Sequence, residues 1–443
     1  MMRMTRLSLS AVMALTGVVL TACSSSPSAS PEPSEVGSAV ASVAPSTASS
    51  TGADVPELDL KVGTLVGLSG DLAAGGQPWE QSVKVATDDL NARLEAMGLG
   101  QQLKVTYIGA EDSQGNATSG IEAAKKLVEV DGAEVVVGDF FSSVTLATGE
   151  SVFIPNEVLN FTGGTSPDIT SLNEKTGSTW IWRMTPPDNI QGPTLAKLVA
   201  QELGPDATLN IGARNDAYGT AYAKAFADAW TAGGGKINEN VLYNPNQPSF
   251  DGTAQSLASG DPDGWVIIDF CGTFAKLKGP LQRSGTWDPK RTFTGDAMLN
   301  CPAPGNAEQG MRGLIGDISS GESAAGYERV FKQYATPGTA FYGYNAQAFD
   351  AVYVAFLAAL KAGSTDPTAI RDQLQAVTND PGTSYTFEEL DKAINDVLAG
   401  NDIHFQGASG PIELTAVGDP ASARYQIWEA TPDGDVTQGL FTP

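Results

Sequence analysis

Two serines, Ser142 and Ser143, follow the apolar run Glu134 to Gly138 and stand where a strand-like stretch turns into a helical one. Hydroxyls and unpaired backbone N–H groups meet at such a helix start, which suits the capture of an anion and a carboxylate in particular. Gly163-Gly164-Thr165 follows the next apolar run. Two glycines there let the backbone approach a ligand closely, the plain alternative being a tight turn and helix cap. Further on, Tyr218 opens a helix and Asp296 follows the run Thr292 to Gly295. An ammonium enclosed beside these groups needs an anion, and Asp296 is the candidate; it could equally cap a turn. Trp79 and the pair Phe140-Phe141 offer an apolar wall, or plain core.

Tools for catalysis are missing from the pattern. His404 is the one histidine, no Gly-x-Ser-x-Gly elbow occurs, and no His or Cys spacing suits a metal. The glycine-rich stretches lack a phosphate-binding signature. The chain reads as a binding protein rather than an enzyme, with no cofactor and no metal.

The elements that must position these residues alternate. Val62 to Leu68 reads as a strand, Gln77 onward as a helix, Leu103 to Ile108 as a strand, Ala117 to Val130 as a helix, and Val158 to Thr162 as a further strand. After Pro186-Pro187 the rhythm restarts with a helix from Gln191 to Glu202, a strand from Ala207 to Gly212, a helix from Tyr218 to Ala232 and a strand from Trp265 to Phe270. Tyr344 to Lys361 is a strongly apolar helix that should return to the first series. The fold class is α/β, with two doubly wound parallel-sheet lobes and a ligand cleft at the carboxyl ends of the strands.

The 443 residues, 41% hydrophobic and 8% aromatic, suffice for two to three ordinary domains with full-sized cores. Residues 1–22 have a secretory pattern: Arg3 and Arg6 precede an apolar run, Leu7 to Leu20, that is too short to span a membrane. Leu20-Thr21-Ala22-Cys23 resembles a bacterial lipobox, which implies lipidation of Cys23. The Ser/Ala/Pro-rich stretch to residue 57 is a tether that cannot form a core. Losing Arg3 and Arg6 from the 26 basic residues leaves 24 against 51 acidic ones, so nucleic acid is not an expected partner. Cys271 and Cys301 remain as an even pair in an oxidising compartment, where a disulfide is expected, two small buried hydrophobes being the alternative.

Several short segments together resemble the type I periplasmic solute-binding proteins of the branched-chain amino acid group. They are Gly67-Leu68-Ser69-Gly70, Gly138-Asp139-Phe140-Phe141-Ser142-Ser143, Gly163-Gly164-Thr165-Ser166-Pro167, Arg183 with Gln191-Gly192-Pro193, Asp216-Ala217-Tyr218-Gly219, Gly295-Asp296 and Phe405-Gln406-Gly407. The resemblance spans about Leu58 to Ala430. It implies three crossings, near Thr185, Gly316 and Val417, with one lobe formed by 58–185 and 317–417 and the other by 186–316 and 418–443. It also implies that Ser142 and Thr165 bind an amino acid carboxylate, that the Gly163 carbonyl accepts from the ammonium, and that Tyr218 reaches the ligand on closure. The family's ammonium-binding glutamate falls at Ala297, a ligand-facing tyrosine at Gly75 and a cleft-facing aromatic at Cys271.

The resulting expectation is a monomeric lipoprotein on the outer face of a bacterial plasma membrane. It would capture an amino acid by hinge closure and deliver it to the permease of an ABC importer. The alternatives are a sensor that signals through a membrane partner, and a binder of an amide or urea-type solute.

Overall fold

The computed structural model describes residues 55–71, 73–301, 308–317, 322–339 and 343–441. The expected signal, Cys23 and the tether up to residue 54 lie outside the described residues.

The first sheet consists of β1 (Leu58–Val66), β2 (Leu103–Asp112), β3 (Val135–Val137), β4 (Leu159–Thr162) and β5 (Ile181–Arg183) in the order β2-β1-β3-β4-β5, all parallel. Its central strand β3 is an uninterrupted apolar run because both faces are covered, as the middle of a parallel sheet requires. Val135, Val136 and Val137 are fully buried. The helices between strands are α1 (Ala73–Ala96), α2 (Ala117–Lys125), α3 (Ser142–Thr148) and α4 (Pro167–Thr176).

Past Pro186-Pro187 come α5 (Asp188–Leu203), β6 (Thr208–Arg214), α6 (Ala217–Ala232), β7 (Lys236–Tyr243), α7 (Asp251–Leu257), β8 (Gly264–Ile268), α8 (Cys271–Ser284), β9 (Thr292–Thr294) and β10 (Arg312–Gly316). The chain then forms α9 (Glu322–Tyr334) and α10 (Asn345–Ala362). Every residue from Asn345 to Leu360 is buried, as an all-round apolar helix must be, and α10 packs on α1, β1 and β3 of the first sheet.

Two features depart from the sequence reading. The strands β11 (Thr383–Thr386), β12 (Ile403–Gly407) and β13 (Gly410–Pro411) make a small third sheet. The last strands, β14 (Tyr425–Thr431) and β15 (Gly434–Phe441), join the second sheet, ordered β15-β14-β10-β9-β8-β6-β7, so that it is mixed rather than wholly parallel. The chain leaves β10 at Gly316 and re-enters the sheet at Tyr425, the residue paired with Gly316, so β14 runs back along β10 antiparallel.

Candidate functional site

Loops beyond the carboxyl ends of strands in both sheets close on one small cavity of about 50 Å³. The first lobe contributes Trp79, Phe140, Gly163 and Thr165. Tyr218, Phe270, Asp296, Ala297 and Ile315 face them from the second, with Gly343 and Tyr344 completing the wall. Among the described residues lining it, none is Arg, Lys or His.

Six of the residues named from sequence line this cavity: Trp79, Phe140, Gly163, Thr165, Tyr218 and Asp296. Ala297 lines the cavity too, whereas Gly75 is buried in α1 and does not. A side chain on Gly163 would stand 2.8 Å from the Trp79 ring and 2.9 Å from Phe140 Cβ. The missing Cβ thus admits the aromatic wall as well as any ligand.

Ser142, Ser143 and Gly164 were expected at the ligand but do not line this cavity. Ser142 is buried, and its Oγ accepts from the backbone N–H of Ser166 at 3.2 Å, which ties α3 to the Gly163–Ser166 loop. Ser143 Oγ accepts from the N–H of Ala217 at 3.3 Å, capping α6 from across the cleft. The carbonyl of Gly164 accepts from Arg183 Nη1 at 3.2 Å. Nearer donors have claimed each acceptor.

Arg183 holds that loop from behind. It is fully buried, pairs with Asp419 at 2.6 Å, and donates from Nη1 also to the Ser166 carbonyl at 2.9 Å. The Arg183 N–H bonds Gly418 O at 2.9 Å, so the last crossing is fastened to the first.

Asp296 is the electrostatic centre. Its Oδ1 accepts from the Tyr218 hydroxyl at 2.9 Å and from the N–H of Ala297 at 2.9 Å, and its Oδ2 accepts from the Tyr344 hydroxyl at 2.9 Å. Burial lifts its pKa above the ordinary carboxylate value, against the opposing pull of Tyr344, Tyr218, Gln191 and the Ala297 N–H. Asp188, at the start of α5, is raised well above its usual value by burial first and then by the charge of Asp296, with Thr165, Arg183 and Gln191 pulling the other way. Two enclosed acids that repel one another favour a cation beside them.

Sequence reasoning missed Asp188 and Tyr344. Asp188 stands after a proline pair, where an acidic residue reads as an ordinary helix start. Tyr344 reads as the first residue of an apolar helix. Cys271 and Cys301 are joined as a disulfide, which pins the first residue of α8.

Two α/β lobes enclosing a cavity of this kind define a substrate-binding protein of the periplasmic type. The chain belongs to the periplasmic binding protein family, whose pattern matches residues 59–398. It is 25% identical over 386 residues to the chemotactic signal transduction system substrate-binding protein BasB of Halobacterium salinarum, covering 86% of this chain and 89% of that one. It is 29% identical over 212 residues to the Leu/Ile/Val-binding protein BraC3 of Rhizobium johnstonii, covering 48% of this chain and 54% of that one. The fold is similar to that of the leucine-binding protein LivK of Thermotoga maritima, with TM-score 0.69, 18% identity, and coverage of 87% and 99% of the two chains. It is also similar to a solute-binding protein of R. palustris in complex with benzoate, with TM-score 0.65, 16% identity, and coverage of 87% and 97%.

Proposed function

We propose that this protein captures a small zwitterion of the amino acid class between its lobes and presents it to the permease of an ABC importer. One observation carries the reading: Asp296 lines one side of a cavity whose other side is lined by Gly163 and Thr165. The solute ammonium lies between Asp296 and the carbonyl of Gly163, whose N–H is already given to Asp139 O, and its carboxylate lies at Thr165. Ser142 acts on the carboxylate end by holding the loop through Ser166. The lobes hinge about the crossings near Thr185, Gly316 and Val417, and second-lobe contacts favour the closed state.

An aromatic acid such as benzoate suits this cavity poorly, because an anion without an ammonium would face Asp296 with no basic side chain to balance it. The acyl chains on Cys23 and the tether behind it would hold the folded part near the outer membrane face. A second reading is sensing through a membrane partner, favoured by the likeness to BasB over most of both chains.

The test is a titration followed by intrinsic fluorescence, with Trp79 in the cavity wall as reporter. Micromolar binding of at least one amino acid, lost in Thr165→Ala and Asp296→Asn, is the expected result. A response to benzoate and to no amino acid would overturn the proposal.

A further inference from the structure

The loop Gly67 to Asp71, after β1 of the first lobe, reaches the second lobe at a place separate from the cavity. Asp71 Oδ2 accepts from the hydroxyl of Thr273 at 2.9 Å, within the first turn of α8. Arg214 Nη1, at the end of β6, lies 3.5 Å from the same oxygen. The seat is shaped for this approach: a Cβ on Gly272 would stand 2.5 Å from Asp71 Oδ1 and 3.1 Å from its Cα.

Everything on the receiving side is rigidly supported within the second lobe. Thr273 is fully buried, and the residue that opens α8 is fixed by the Cys271–Cys301 disulfide. Arg214 pairs with Asp216, lies 3.7 Å from Asp269, and its guanidinium carbon sits 3.6 Å above the Phe270 ring. These partners remain to Arg214 when the lobes part, so among the contacts of this seat those of Asp71 depend on closure. The unpaired N–H groups of a helix start favour a carboxylate, and so does a nearby guanidinium.

We infer that Asp71 is a positioning residue that clasps the first lobe to the start of α8 and sets the balance between open and closed forms. It does not line the cavity, so it governs how long a solute is held without choosing which solute enters. This inference rests on the reading that the lobes open and close, and it is independent of the chemistry of the solute. The side chain of Asp71 is 28% exposed, so salt weakens the clasp.

The experiment is small-angle X-ray scattering of the mature, disulfide-bonded protein without added solute, comparing wild type with Asp71→Ala, Thr273→Val and the double variant. Asp71→Ala shifts the equilibrium roughly tenfold toward the open form, since a charge-assisted bond is lost. Its thermal midpoint stays within about 2 °C of wild type. Thr273→Val opens the protein partway, and the double variant is no more open than Asp71→Ala. Added 0.5 M NaCl opens wild type and leaves Asp71→Ala unchanged. Scattering of Asp71→Ala identical to wild type at low salt, or full additivity of the two substitutions, overturns the clasp. The amino acid titration stands apart: a closed Asp71→Ala variant beside a wild type that still binds removes the clasp alone. A wild type that binds no solute removes the functional reading alone.

Discussion

The Tyr344 hydroxyl donates to Oδ2 of Asp296 across 2.9 Å and also accepts from the N–H of Gly316 at 3.3 Å. A residue that starts the long buried helix α10 thereby links the acid of the cavity to the end of β10, where the chain leaves the second sheet. Tyr344 is held at φ +65°, a conformation non-glycine residues adopt rarely and keep where the surroundings demand it.

Tyr344→Phe keeps the ring and removes the donor. Solute affinity should fall about tenfold, the worth of one hydrogen bond to a charged group, while the circular dichroism spectrum is retained. Calorimetric titration checks this, and an unchanged affinity would take Asp296 out of contact with the solute.

Asp419→Ala strands the buried guanidinium of Arg183, whose partner at 2.6 Å is lost. An uncompensated buried charge costs about 3–5 kcal/mol, so the urea midpoint should drop accordingly. Solute binding should weaken as well, because Arg183 also holds the carbonyls of Gly164 and Ser166. A midpoint within error of wild type contradicts the assignment.

Solute binding should release protons. Burial holds Asp296 and Asp188 above the ordinary carboxylate value, and a cation placed beside them favours their ionised forms. Affinity therefore falls as pH drops through the raised pKa values and levels off above them. Calorimetry in two buffers of different ionisation enthalpy measures the proton count directly; proton uptake would be incompatible with an ammonium at this site.

Stability should fall as pH rises from about 4 to 7. Asp139, Asp269 and Asp350 are each pushed up to about 7, burial being the largest cause, from the usual 3.8. Across that window the folded chain keeps protons that the unfolded chain has lost, so deprotonation draws the equilibrium toward unfolding. Thermal melts at pH 5 and pH 7.5 measure the trend, and Asp350→Asn should flatten part of it. A midpoint that climbs over this range refutes the account.

Much of the fold was legible along the chain. The strand expected at Leu103 to Ile108 begins β2, and the helix at Tyr218 to Ala232 is α6 within one residue. Both have strong apolar periodicity and a clear start signal, which are local properties. By contrast β7 alternates exposed and half-buried residues along a polar segment, and β15 has seven of its eight residues outside the core. Edge strands draw stability from one neighbour only, so their own composition carries little signal.

The site divides in the same way. Asp296, Thr165 and Trp79 could be named because each follows or lies on a recognisable element, and they line the cavity, whereas Asp188 and Tyr344 acquire meaning only beside Asp296. Ser142 and Ser143 were correctly placed at a helix start, yet their hydroxyls serve Ser166 and Ala217. A helix start shows that a hydroxyl is available, and only three-dimensional packing determines which donor reaches it first.

The order of residues by itself determined the α/β alternation and the types of group offered at the strand ends, because periodicity and side-chain chemistry belong to the chain locally. Tertiary structure alone decided which of those groups share a cavity, that Asp296 is held by tyrosines 78 residues before it and 48 after it, and that Asp71 crosses to α8. Each of these depends on contacts between distant segments, whose geometry is set by how the two lobes pack and not by any one stretch of sequence.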